Sequence, residues 1–178
     1  MNSDNKMIGT KGFAVTALLL VLGDFAQAQE KTEFHQCFVE ENSFSVGSSA
    51  SHSFEIEATG LNARFYYNIR ENICFGPEFS YFKTAEAEVL DFDFVAHYVF
   101  ASPWVGIYPV AGLNYSLETQ LNAESTPQSE NGFGVVYGLG LHRNMKRFTL
   151  FVEYSRINGA FINQFLSLGA IYRFNLKP

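Results

Sequence analysis

Hydrophobic side chains recur at every second position in run after run of this sequence, and that alternation most limits the folds open to it. A period of two marks a strand with one apolar and one polar face. Ile73, Phe75, Phe79 and Tyr81 interleave with Cys74, Gly76, Glu78 and Ser80. Leu90, Phe92, Phe94, Ala96, Tyr98 and Phe100 interleave with Asp91, Asp93, Val95, His97 and Val99. The pattern repeats over 105–117, 132–142, 148–155 and 166–174. With 61–69 and a fainter run near 42–50, the sequence predicts eight strands. Phe54, Ile56 and Ala58 share one parity while 61–69 use the other, so a bulge near Thr59 and Gly60 is expected.

The connections differ in length. Those at 68–72, 101–104 and 143–146 read as tight turns, whereas 51–59, 118–130 and 157–162 read as longer loops, with a short one at 84–87. Short turns at one end and longer loops at the other are the asymmetry of a barrel crossing an outer membrane. Both termini of the barrel are then expected in the periplasm.

The N-terminus fits export. Lys6 and Lys11 come before or at the start of an apolar run, 12–22, that leads to Ala26-Gln27-Ala28. A charged start, a short apolar stretch and a small-residue cleavage site define a secretory signal. The expected division is a signal peptide at 1–28, a periplasmic lead at 29–41, a barrel at 42–174 and a short tail at 175–178. Export and a net charge of −6 both argue against nucleic acid as a partner. Beyond the signal, no run approaches the roughly 18 apolar residues of a membrane-spanning helix.

Two exported all-β classes remain, a soluble barrel and a transmembrane one. Charged residues make up only 17% of the chain, against about 25% in soluble domains. Lysines after the signal, Lys31, Lys83, Lys146 and Lys177, fall at strand ends, in turns or in the termini. The polar face is mostly Gly, Ser, Asn and Thr, which suits a narrow lumen. The apolar face carries aromatics toward both strand ends. Tyr67, Phe75, Phe100, Trp104, Phe148, Tyr172 and Phe174 form an expected periplasmic girdle, and Tyr81, Tyr115, Phe133 and Tyr154 an exterior one. The reading is an eight-stranded antiparallel up-and-down transmembrane β-barrel, expected to be a monomer.

The stretch NIRENICFGPEF at 68–79, the strand GFGVVYGLGL, the following FTLFVEYSR and the closing LGAIYRF carry a family resemblance. Over essentially the whole exported chain, the sequence resembles the small outer-membrane β-barrel family typified by the transmembrane domain of OmpA. That resemblance implies outer-membrane lipid and lipopolysaccharide as surroundings, and the barrel-insertion machinery as a partner during biogenesis. Tyr172 and Phe174 resemble the C-terminal insertion signal, although residues 175–178 follow where the signal usually ends the chain. No peptidoglycan-binding domain follows the barrel strands, so an anchoring role is not expected.

Candidate sites concentrate in the lumen. If the turn at 68–72 pairs Ile69 with Ile73, the same register sets Arg64 opposite Glu78 on the inward face. Asp93 and Glu153 fall near that depth, so Arg64, Glu78, Asp93 and Glu153 are expected to form one charge layer, since a buried charge must be paired. Such a layer reads either as a static plug or as the gate of a narrow solute or ion channel.

Enzymatic chemistry has less support. Of His35, His52, His97 and His142, only His52 has a close serine, Ser53, and that pair falls in an expected loop. His97 and His142 face inward near the periplasmic end. A lipid-A-modifying enzyme is therefore the remote alternative, and neither cofactor nor metal is expected. Cys37 and Cys74 both fall near the periplasmic end, where an oxidising compartment permits a disulfide. Exterior acids Glu55, Glu57, Glu86, Glu118, Glu124 and Glu130 read as loop solvation or as a surface for an unknown ligand.

Overall fold

The computed structural model describes residues 41–100, 105–121, 128–145 and 148–174. The expected signal peptide, nearly all of the lead, the tail, Cys37, Trp104, Glu124 and Lys146 lie outside the described residues. Eight strands follow in order: β1 (Ser43–Ser53), β2 (Ala58–Arg70), β3 (Ile73–Lys83), β4 (Ala87–Tyr98), β5 (Gly106–Gln120), β6 (Gln128–Met145), β7 (Phe148–Gly159) and β8 (Asn163–Phe174). Each pairs antiparallel with its neighbours, and β1 pairs with β8 to close the barrel. Closure leaves no strand edge, which lipid would penalise because it offers no partner for a bare N–H or C=O.

Side-chain size and polarity fix which face turns outward. Leu61, Leu113, Phe133 and Leu168 are each more than 60% exposed on the isolated chain, whereas Ser45, Ser51, Asn62, Ser116 and Ser167 are buried. In water this would be an inside-out protein; in a bilayer the apolar face meets acyl chains. Along the β1–β8 seam small polar groups on the inner face bond between the neighbouring strands, as in Ser51 Oγ to Ser167 Oγ at 2.7 Å and Ser53 Oγ to Asn163 Oδ1 at 2.7 Å.

Aromatic contacts run along the outer face. Near the periplasmic end Phe44, Tyr67 and Phe75 touch in sequence, and so do Phe148, Tyr172 and Phe174. Tyr115 packs on Phe133 toward the exterior, where Tyr81 and Tyr154 are also exposed. Phe44, at 55% exposure, belongs with the periplasmic group although the pattern there is faint in sequence.

Several expectations are corrected. The strands run further toward the exterior than hydropathy suggests, so the connections shrink to 54–57, 84–86, 121–127 and 160–162. Polar strand tops such as Gln128, Ser129 and Glu130 look like loop but keep the ladder, with Ser129 Oγ 3.0 Å from Thr119 Oγ1. The expected length asymmetry is correspondingly weak, because the periplasmic connection 99–105 is as long as 121–127. Phe100 lies past the end of β4 and joins β5 by an isolated bridge to Ile107. No bulge occurs at Thr59 and Gly60, since the turn 54–57, with Glu57 at φ 50°, resets the parity and brings Ser53 opposite Ala58. The irregularity falls instead between Asn68 and Arg70, so Arg70 and not Ile69 pairs with Ile73.

Candidate functional site

The centre of the lumen is built around Arg64. Its position follows from β2 geometry: even-numbered residues of this strand point inward, and Arg64 is 2% exposed. Register places it directly opposite Glu78 of β3, and Glu78 in turn opposite Asp93 of β4. The guanidinium crosses the interior to β7. Nη1 donates to Glu153 Oε2 at 3.1 Å and Nη2 to Glu153 Oε1 at 2.9 Å. This two-pronged geometry is the strong form of a charge-assisted hydrogen bond. Nε donates to Asn62 Oδ1 at 2.7 Å and stands 3.3 Å from Glu78 Oε2. The carbon end of the guanidinium lies 4.4 Å from the centre of the Phe151 ring, a cation–π contact.

Each carboxylate has further partners. Glu78 accepts from the Tyr66 hydroxyl and from Asn62 Nδ2, the latter at 3.3 Å, while Asn62 Nδ2 also reaches Ser80 Oγ at 2.8 Å. Glu153 is bonded by Tyr108 besides Arg64. A buried ion pair stabilises only when its remaining lone pairs and protons are also bonded. Here one cation serves two carboxylates, with hydroxyl and amide donors supplying the rest.

Aromatic rings fill the section below. Tyr66 packs edge-on against His97 with ring centres 4.9 Å apart, His97 meets Tyr108 at 5.1 Å, and Tyr108 meets His142 at 5.6 Å. Cys74 Sγ lies 3.6 Å from His97 Nδ1 and is fully buried. Glycines make the room: a Cβ on Gly140 would come within 2.1 Å of the Tyr108 ring, and one on Gly106 within 2.4 Å of His142. The lumen is thus not lined by small residues alone. Phe82, Phe151 and Phe165 also point inward, on the face expected to be polar.

Of the four expected charge-layer residues, Arg64, Glu78 and Glu153 are in contact. Asp93 stands beside Glu78 in register but takes its hydrogen bond from Asn114 Nδ2 at 2.7 Å. Asn62, Tyr66, Tyr108 and Phe151 are cage members that charge alone does not flag; their strand parity does, since each shares it with a charged inward residue. His52 and Ser53 sit in β1 and not in a loop. As consecutive strand residues they point to opposite faces, His52 outward and exposed, Ser53 inward and buried, so they do not form an acyl-transfer pair. Glu118 and Glu130 likewise lie in strands, opposite each other on β5 and β6.

A closed eight-stranded barrel with a lipid-facing apolar surface and a charged, side-chain-filled interior defines a small outer-membrane β-barrel protein. Residues 14–174 match the family described as Outer membrane protein beta-barrel domain, and the chain belongs to that family, which places it in the bacterial outer membrane. No curated protein matches the sequence.

Among solved structures, the chain is similar to the N-terminal β-barrel domain of Pseudomonas aeruginosa OprF, with 17% identity and a TM-score of 0.65, covering 75% of this chain and 98% of that one. It is also similar to Ail, the attachment invasion locus protein of Yersinia pestis, with 18% identity and a TM-score of 0.55, covering 76% and 99%. Neisserial surface protein A is similar at 20% identity and a TM-score of 0.55, covering 74% and 97%. At these identities the likeness is one of fold.

Proposed function

We propose that this barrel has a structural and surface-interaction role in the outer membrane, its lumen closed by side chains and its strand tops and turns turned to the exterior. The observation that carries the reading is the Arg64 cage. A guanidinium held two-pronged by Glu153 from β7, with Glu78 and Asn62 from its own side and Phe151 against its face, ties opposite walls of an already narrow interior. Two similar folds belong to proteins named as an attachment invasion locus protein and as a surface protein, which favours a surface-interaction role here. Lipopolysaccharide is the lipid that the exposed outer face of such a barrel would meet.

A second reading is a gated narrow channel. It draws on the same site, because Arg64 has a carboxylate on each side and a shift from Glu153 toward Glu78 would unlace the two walls. Planar-bilayer conductance of refolded protein, with folding checked by its mobility on unheated gels, separates the two. The structural reading expects a silent bilayer. Discrete openings that change in Glu78→Gln or Glu153→Gln would replace it with the channel.

A further inference from the structure

Arg156 interrupts the apolar outer face near the exterior end of β7. It shares strand parity with the exposed Leu150 and Tyr154, while Glu153, Ser155 and Ile157 turn inward and are buried. Tyr154 is one of the exterior aromatics, and Arg156 is the next outward residue beyond it. Aromatic girdles mark the level of the lipid headgroups. The guanidinium therefore stands where outer-leaflet acyl chains give way to headgroups. Its register neighbours are Tyr137 on β6 and Gln164 on β8, which face outward as well.

Nothing in the fold neutralises it. Among the described residues Arg156 makes no ion pair and no side-chain hydrogen bond. Its Nε is covered and lacks an acceptor, while the half-buried side chain leaves the two Nη at the surface. Glu55 comes to the neighbouring Gln164 but is held there, by the backbone N–H at 2.6 Å and Nε2 at 3.0 Å. Gln164 Oε1 in turn accepts from the Tyr154 hydroxyl at 2.5 Å. Lys83 makes the contrast. It also points outward at an exterior strand end, but Glu88 stands opposite it on β4 and pairs with it. One outer cation has its own carboxylate, whereas the other faces a phenol and an amide. An ionised group at the edge of hydrocarbon is costly without an opposite charge or water.

We infer that Arg156 anchors a binding site for the phosphate of an outer-leaflet lipid. A guanidinium presents parallel N–H groups that match two phosphate oxygens. Leu139 and Leu166, on either side of Tyr154 in register and both exposed, offer an apolar track for the acyl chain below. A free phosphate has no use for that track, so the ligand is the lipid and not the ion. The inference rests on the proposed orientation, with the strand tops turned to the exterior. Binding is measured in detergent, so its failure is separate from a failure of the silent-bilayer expectation.

The test uses the refolded full chain in dodecyl maltoside micelles, which contain no phosphate. NMR follows the Arg156 side-chain Nε–H and the backbone amides of Tyr137, Arg156 and Gln164. The probes are dodecyl phosphate, its neutral counterpart dodecanol, and inorganic phosphate. Dodecyl phosphate should shift these signals saturably, and dodecanol should leave them in place. Inorganic phosphate should bind about tenfold more weakly or worse, for want of a chain. Arg156→Gln should weaken dodecyl phosphate binding by about tenfold or more, read at Tyr137 and Gln164, whereas Lys83→Gln should leave it unchanged. The inference is overturned if dodecanol acts as dodecyl phosphate does, if Arg156→Gln binds like the parent, or if neither phosphate binds. A response that appears only in Glu55→Gln would name Glu55 as the partner of Arg156 and overturn it too. Inorganic phosphate binding as tightly as dodecyl phosphate would replace the lipid with a free anion and overturn the lipid assignment. The dodecanol comparison is made on the unaltered protein, so it stands even if a variant fails to fold.

Discussion

Around Arg64 two buried carboxylates share one guanidinium, and Tyr66, Asn62 and Tyr108 supply further bonds; two residues away from Asp93 on β4, the buried carboxylate of Asp91 has no ion-pair partner among the described residues and accepts from the Ser116 hydroxyl. Both regions are lined by inward residues of the same strands, so strand geometry does not separate them. The difference lies in what stands opposite. At the level of Glu78 a cation reaches across from β2 and a ring from β7 closes the space. At the level of Asp91 the register partners are Ser80 and Ser116, too short to cross the interior. Long side chains from facing strands make a plug with its own counter-charge, whereas short ones leave a buried carboxylate to neutral donors.

The largest expected effect breaks the plug. Arg64→Ala leaves Glu78 and Glu153 without their cation, and removing one partner of a buried pair costs about 3–5 kcal/mol. Urea unfolding of the refolded barrel should show that loss; an unchanged midpoint would mean that the cage contributes nothing. The triple variant Arg64→Met, Glu78→Gln, Glu153→Gln should recover most of it, because a neutral set carries no uncompensated charge. Stability close to that of Arg64→Ala would instead show that shape, not charge, governs the region. A smaller loss, about 1–3 kcal/mol, is expected for Gly140→Ala, whose new methyl meets the buried Tyr108 ring. The same substitution at Gly132, near the exterior rim, would meet the Ala160 side chain and the Phe161 ring edge in the 160–162 turn and should cost less.

How much of this was legible in the sequence divides along the same line. Period-two alternation gives eight strands, and the register of a single tight turn sets Arg64 opposite Glu78; both follow because strand parity is rigid once one pairing is fixed. The bulge at Asn68–Arg70 leaves that pairing untouched because it falls below Asn68. Phe82, Phe151 and Phe165 are harder to see. Hydropathy assigns them to the lipid face, and only their parity places them inside. The polar tops of β5 and β6 look like loop in the sequence because lipid no longer requires alternation there, although the ladder persists to Gln120 and Gln128. The cavity at the exterior end, lined in part by Ile56, Ser116 and Ile157, has no local signal in the sequence. It forms where the 54–57 and 160–162 turns, which carry several of its lining residues, are brought together by barrel closure.

The smallest expected effect has the opposite sign from the others. Asp91→Asn removes a buried charge that has no ion-pair partner among the described residues, while its Oδ1 can still accept from Ser116. The barrel should therefore gain about 1 kcal/mol toward urea, where Arg64→Ala loses several. Paired urea unfolding curves of the parent and the variant make the comparison. If Asp91→Asn is instead destabilised by as much as a cage variant, then Asp91 is already compensated within the fold and forms one electrostatic unit with the Arg64 cage.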